Sequence, residues 1–380
     1  VALHDVVLGA TIDGYAVEGG FDTDDGPATS FGVAQAFGHV RPSVRTPGTF
    51  EHLEALVARA AQLGVGEVRL TVEWARIERR PGERDHRALE AYAGALRAAV
   101  AASLRTVVVL CDAAWPSWLG QEPWLSAWAP PRFASHARWV VERLEGLAQG
   151  VVTFRFPNAA ARDGWVDGTR PPFRRRAAAD AVSALDGMLV AHQQATEAIA
   201  DVAPTIERAL LFEVAAAYGD AELWRDVARG IGDAGALAAR RRAWSQAIGR
   251  PVGARGFARR VDVGALRSTG GWAATPAFEW WLGGSDATTL SVALQHADGA
   301  IPVVELGAGA AGWDAQLATS LPAIAAAPGT PPRVHLHGLV PSSGPLDSPV
   351  GLLSVAQHSG SWAVEGPDAN VAGRLAGRVR

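Results

Sequence analysis

Short runs of β-branched and aliphatic residues alternate along this chain with long Ala-, Leu- and Arg-rich segments of helical period, the pattern of parallel strands joined by crossover helices. That alternation makes the chain an α/β protein. It predicts strands at Val6 to Ala10, Glu67 to Val72, Thr106 to Leu110, Val151 to Phe156, Arg208 to Glu213, Ile301 to Glu305 and Val334 to Leu339, with one more between Arg260 and Thr289. Helices are predicted at Phe50 to Leu63, Arg87 to Ala101, Arg132 to Leu147, Ala177 to Val202, Ala221 to Ala247 and Trp313 to Ala326. Eight strands in 380 residues fit a single (β/α)8 barrel with long loops over residues 1–380. A doubly wound sheet fits less well, because GATIDGYAVEGG runs into a polar Asp/Gly loop where a GxGxxG turn would open a helix.

The remaining composition narrows the function classes. Hydrophobic residues make up 48% and charged residues 19%, enough apolar material for a large core. A net charge of -4, spread along the whole length, gives no field that would hold phosphate backbones or an anionic membrane. Nucleic acid and membrane partners are therefore not expected, and the expected ligand is a small molecule. No apolar run reaches the roughly 18 to 20 residues of a membrane span, and the opening VALHDVVLGATIDG lacks the basic and long apolar regions of a secretory signal. The expected location is the cytoplasm. Cys111 is the single cysteine, which excludes an internal disulfide and a thiolate metal cluster. Neither a metal nor another cofactor is expected, and the sequence does not specify the oligomeric state.

Several segments, in order, resemble the family 1 glycoside hydrolases, the β-glucosidase group. VRLTVEWARIERRPG is similar to the second-strand pattern R-F-S-x-x-W-x-R-I-x-P-x-G, with Arg69, Trp74, Arg76 and Ile77 matching. GATIDGYAVEGG resembles the first-strand A-T-A-x-Y-Q-x-E-G, and LCDAAWPSWL the third-strand L-x-H-x-D-x-P. IPVVELGAGAA resembles the seventh-strand P-I-x-I-T-E-N-G. The resemblance spans nearly the whole chain and implies the (β/α)8 barrel independently of the periodicity.

The same resemblance implies altered chemistry. The family uses two glutamates about 5 to 5.5 Å apart, one as acid/base and one as nucleophile. The fourth-strand T-x-N-E-P corresponds here to Thr153, Phe154, Arg155, Phe156 and Pro157, which puts Arg155 at the sugar-binding Asn and Phe156 at the acid/base. A phenyl ring neither donates nor accepts that proton. The first-strand Gln is Ala16, the third-strand His is Asp112, and the eighth-strand motif has become HGLVPSSGPLD. The nucleophile position holds Glu305, and Arg69 stands where the family supports that glutamate. An Arg fork beside a carboxylate keeps it ionised, and a purely structural ion pair would look the same.

In a barrel of this kind reactive groups sit at the C-terminal ends of the strands. The candidates for chemistry are Glu305, Asp112, Arg155 and His337, and those for ligand contact are Trp74, Trp115, Glu213, Phe156 and Trp281, with Arg69 in support. Glu73 also falls at a strand end. His335 and His337 share one strand face and point either inward or toward the outer helices. Trp280 and Trp281 favour an apolar or aromatic ligand over a free sugar. Three readings follow: a barrel repurposed for a non-glycosidic acid/base or cyclisation step in specialised metabolism, a small-molecule-binding pseudoenzyme, and a retaining β-glycosidase that uses Glu305 on activated glycosides.

Overall fold

The computed structural model describes residues 6–38, 40 and 48–214, together with elements at 273–276, 301–306, 312–326, 333–336, 354–358 and 361–365. Its centre is a curled parallel sheet of the α/β barrel type. The strands are β1 (Val7–Ile12), β2 (Glu67–Thr71), β3 (Arg105–Val109), β4 (Gly150–Arg155), β5 (Glu207–Val214), β6 (Ala273–Pro276), β7 (Ile301–Leu306) and β8 (Arg333–Leu336). Each pairs in parallel with the next in sequence, and β8 pairs with β1 through Val7 to Ala10. β6 falls inside the window expected for it. It is only four residues long and reads Ala-Ala-Thr-Pro, which explains why no β-branched run marks it.

Five longer helices are described: α1 (Leu53–Gln62), α2 (His86–Ala101), α3 (Ala129–Arg143), α4 (Ala178–Ala200) and α5 (Gly312–Ala325). Their starts follow local chemistry. Asp85 caps α2 by accepting the amides of Arg87 and Ala88 at 2.9 Å each, satisfying donors that a helix start leaves open. α3 begins at Ala129, earlier than the periodicity indicates, because Pro130 and Pro131 sit in the first turn, where a missing amide hydrogen costs nothing. The predicted helix over Ala221 to Ala247 lies outside the described residues.

The core has two compartments. Between the sheet and the helices lies a large apolar layer that includes Leu56, Val68, Leu96, Val140, Leu185 and Ile199. Inside the sheet's curl is a small cluster of Val107, Val109, Val152, Ala209 and Leu211, with Phe156 packed on it. Beneath that cluster the first residues of β2, β3, β5 and β8 form a ring of charge. Arg105 bridges Glu67 and Glu207, and Arg333 lies 3.7 Å from Glu67 and 3.4 Å from Glu207. His335 turns inward onto this ring: Nε2 is 2.8 Å from Glu67 Oε1, and Nδ1 is 3.2 Å from Thr11 Oγ1. The imidazole lies against Gly9, where a Cβ would come within 2.5 Å of it. β1 thus needs a glycine at this level.

Candidate active site

The opposite, C-terminal end of the sheet collects a different set of side chains. Arg155, the last residue of β4, directs Nη1 to Asp13 Oδ1 at 3.1 Å and to Asp112 Oδ2 at 3.2 Å. Asp13 follows β1 and Asp112 follows β3, so one guanidinium ties three strand ends together with charge-assisted hydrogen bonds. Its Cζ also lies 4.6 Å from the centre of the Phe156 ring, within cation–π range. Phe156 adopts φ 57° and ψ 51°, a left-handed conformation that is uncommon for a bulky residue. Two features hold it there: its amide donates to Leu211 O at 2.7 Å, and Pro157 starts the short helix Pro157–Arg162 directly after it.

Glu73 continues the side of β2 that carries Glu67, Arg69 and Thr71, by the two-residue alternation of a strand. It is only 2% exposed, and its Oε1 accepts the Tyr15 amide at 2.6 Å. Nearby, Arg76 donates Nε to Glu18 Oε2 and Nη2 to Gly19 O, both at 2.7 Å, while the Tyr92 hydroxyl donates to Glu18 Oε1 at 2.6 Å. The cation therefore serves Glu18, and Glu73 hydrogen-bonds to an amide. Burial, reinforced by the charge of Glu18 and to a lesser extent of Asp112, pushes the Glu73 carboxyl well above the ordinary carboxylate range, against the Tyr15 amide and Arg76. Burial likewise raises Cys111, with Glu73 and Asp112 adding to it, so this thiol stays protonated and is no nucleophile.

The other candidate residues fall in different places. Trp115 is 4% exposed, and its Nε1 donates to Gly120 O at 3.0 Å. Trp74 is enclosed in the layer between the barrel and α3. Its indole donates to Glu78 Oε2 at 2.9 Å and its ring stacks on His136 with centroids 4.9 Å apart. Arg69 is 1% exposed within β2. Glu213 stands near the end of β5, in register with Thr275 of β6, and Glu305 stands in β7, in register with His335. His337 and Trp281 lie outside the described residues. Asp13 is the site residue that sequence reasoning missed. The strand-end rule applied to Cys111–Asp112 would have found it at the end of β1 as well.

The match of the family model named Glycosyl hydrolase family 1 covers residues 3–231, more than half the chain and all of the strand ends from β1 to β5. The chain belongs to glycosyl hydrolase family 1. No match is found among curated proteins. Among solved structures, the fold resembles the AHE enzyme from Alicyclobacillus herbarius, with TM-score 0.73 and 18% identity over 98% of each chain. It is also similar to the GH1 β-glucosidase from Exiguobacterium antarcticum B7, with TM-score 0.75 and 14% identity over 99% of this chain and 98% of that one. A third likeness is to the virulence factor SghA in complex with its substrate analogue salicin, with TM-score 0.72 and 18% identity over 99% and 96%. At these identities the likeness is one of fold. Within a family 1 barrel, the Asp13–Arg155–Asp112 clamp and Glu73 stand where active sites of the architecture are built.

Proposed function

We propose that the chain is a complete (β/α)8 barrel forming one domain, and that its mouth performs an acid/base or cyclisation step on a small apolar or aromatic metabolite in place of ordinary β-glucoside hydrolysis. The observation that carries this reading is the clamp at the end of β4. Arg155, bound to both Asp13 and Asp112, and Phe156, bent into a left-handed turn beside it, occupy the positions that the family pattern gives to a sugar-binding Asn and the acid/base Glu. A side chain paired to two carboxylates has little left to offer a sugar hydroxyl. The apolar cluster beneath, with Phe156 on top of it, offers a greasy floor to a ligand. Glu305, at its register position in β7, supplies a carboxylate for nucleophilic or electrostatic work, with Arg69 as the partner that holds it ionised.

The test is turnover of cellobiose and of an activated aryl β-glucoside by the wild type and by Glu305→Gln. Loss of general acid catalysis typically removes about 10²- to 10⁴-fold, so cellobiose hydrolysis is expected to be negligible. Robust cellobiose turnover abolished in Glu305→Gln would overturn the proposal in favour of a retaining glycosidase. Turnover of the aryl glycoside alone, lost in the same variant, would show a competent nucleophile without an acid for ordinary leaving groups. Absence of both, with tight binding of an apolar metabolite recovered unchanged, would favour a binding protein.

A further inference from the structure

We propose that Asp22 is the positioning residue of the Asp13–Arg155–Asp112 clamp, joining the loops that follow β1 and β3 so that both carboxylates meet one guanidinium. The inference rests on the reading above that this clamp is the working part of the mouth, and it assigns the residue that holds the clamp's two acidic arms in place.

Of the acids in the polar run FDTDDG, Asp24 and Asp25 are exposed, and Asp22 is the one that turns inward. Its backbone takes φ 55°, and its amide donates to Pro27 O at 3.0 Å, which closes the loop on itself. The carboxylate then accepts four donors from three residues. Oδ1 accepts the Thr29 amide at 2.6 Å, while Oδ2 accepts the Thr29 hydroxyl at 2.7 Å, the Tyr15 hydroxyl at 3.3 Å and Gln35 Nε2 at 3.4 Å. Gln35 Nε2 also donates to the Tyr15 oxygen at 2.6 Å. An ionised carboxylate suits such a set because it only accepts, with about four lone-pair sites. Gly32 permits the close approach, since a Cβ there would lie 2.6 Å from Oδ1.

Two lines lead from this knot to the clamp. Tyr15 stands two residues past Asp13, and its ring stacks on Phe31 with centroids 4.5 Å apart. Thr29 and its neighbours run antiparallel to the segment after Asp112: Thr29 bridges Pro116, Ser30 donates its amide to Trp115 O at 2.8 Å, and Ser117 donates to Ala28 O at 2.9 Å. Ala113 and Ala114, directly after Asp112, are buried in one apolar cluster with Tyr15, Phe21 and Phe31. The Arg155 bonds at 3.1 and 3.2 Å depend on both arms being held, because distance and angle set the strength of a charge-assisted hydrogen bond.

The experiment is amide hydrogen exchange of the full-length protein at neutral pH, read by mass spectrometry, comparing the wild type with Asp22→Asn. The variant turns one acceptor oxygen into a donor that faces other donors. Exchange is expected to be at least about tenfold faster over residues 13–38 and 112–118, with β2 and β4 as protected as in the wild type. An unchanged profile, or faster exchange confined to residues 19–38, would overturn the proposal, because the loop would then be independent of the clamp. A double-mutant cycle with Arg155→Gln in urea unfolding separates positioning from general support. Asp22→Asn is expected to change the unfolding constant by a factor roughly threefold or more larger in the wild type than in Arg155→Gln, since residues in one network are not additive. Equal factors in the two backgrounds would also overturn it, because Asp22 would then support the fold without acting on the clamp. If Asp22→Asn does not fold, Thr29→Val, which withdraws one hydroxyl donor from Oδ2, carries both measurements. Neither measurement involves turnover: equal factors leave the acid/base reading standing, and cellobiose hydrolysis would remove that reading while leaving Asp22 as the residue that positions the clamp.

Discussion

Glu67 has no exposed surface, yet its carboxyl is held well below the ordinary carboxylate range. Burial alone would raise it; the hydrogen bond and charge of His335, followed by the charges of Arg333 and Arg105, outweigh that. A carboxyl lowered in the folded state contributes stability above its unfolded value of 4.5 and loses it as pH falls toward the folded value. Glu67→Gln is expected to cost roughly 3 to 5 kcal/mol at pH 7, because buried positive groups lose their counterion. Urea unfolding at pH 7 and again below pH 3 checks this, and the difference from wild type is expected to shrink at the lower pH. Little of this was legible in the sequence. His335 was one of two histidines on a strand of unknown facing, and only the pairing of β8 with β1 and the placement of Glu67 turn it toward the floor. Asp13 escaped, and Glu73 was legible only as a strand-end residue, for a related reason. Their roles depend on Arg155 and Glu18, which lie 142 and 55 positions away along the chain, and no local pattern reports such a meeting.

At the scale of elements, β1 to β4 were legible because their aliphatic and β-branched runs are largely buried on both faces, and the long helices because one stripe of each is apolar. The boundaries that moved did so through turn chemistry: prolines opened α3, and residues 49–52 wound as a 3-10 turn before α1. The close packing of α4 was not legible. Gly187 lets the helix approach the turn Pro123–Leu125 so nearly that a Cβ would lie 1.9 Å from Trp124 O. Gly187→Ala gains helix propensity of roughly 1 kcal/mol, yet backbone must move to admit the methyl. The net expectation is a loss of about 1 to 3 kcal/mol in thermal or urea unfolding. The same helix carries His192, whose Nδ1 meets Thr153 Oγ1 of β4 at 2.5 Å and whose pKa burial pushes from 6.5 down to about 3. A histidine lowered in this way favours the fold above its unfolded value and withdraws that support as pH falls below 6.5. Between pH 7 and pH 5 it accounts for about 2 kcal/mol of lost stability, a loss that His192→Gln is expected to lack.

For the whole molecule, the decisive connection is between the two sides of the barrel. If Arg69 in β2 grips Glu305 in β7, as proposed, Arg69→Ala removes the buried partner of the pair and is expected to cost roughly 3 to 5 kcal/mol. An unchanged melting temperature in that variant would remove the pairing and with it the support for Glu305 as an ionised group. The barrel itself also constrains traffic. Its floor is occupied by the ring of Glu67, Arg105, Glu207 and Arg333, capped by His335, and by the aliphatic layer above it. In the closed barrel proposed above, a floor filled in this way shuts that end to a ligand. A ligand that enters the proposed mouth past Arg155 and Asp112 would then leave by the same route, so spent and fresh molecules would queue at one threshold and each would block the other.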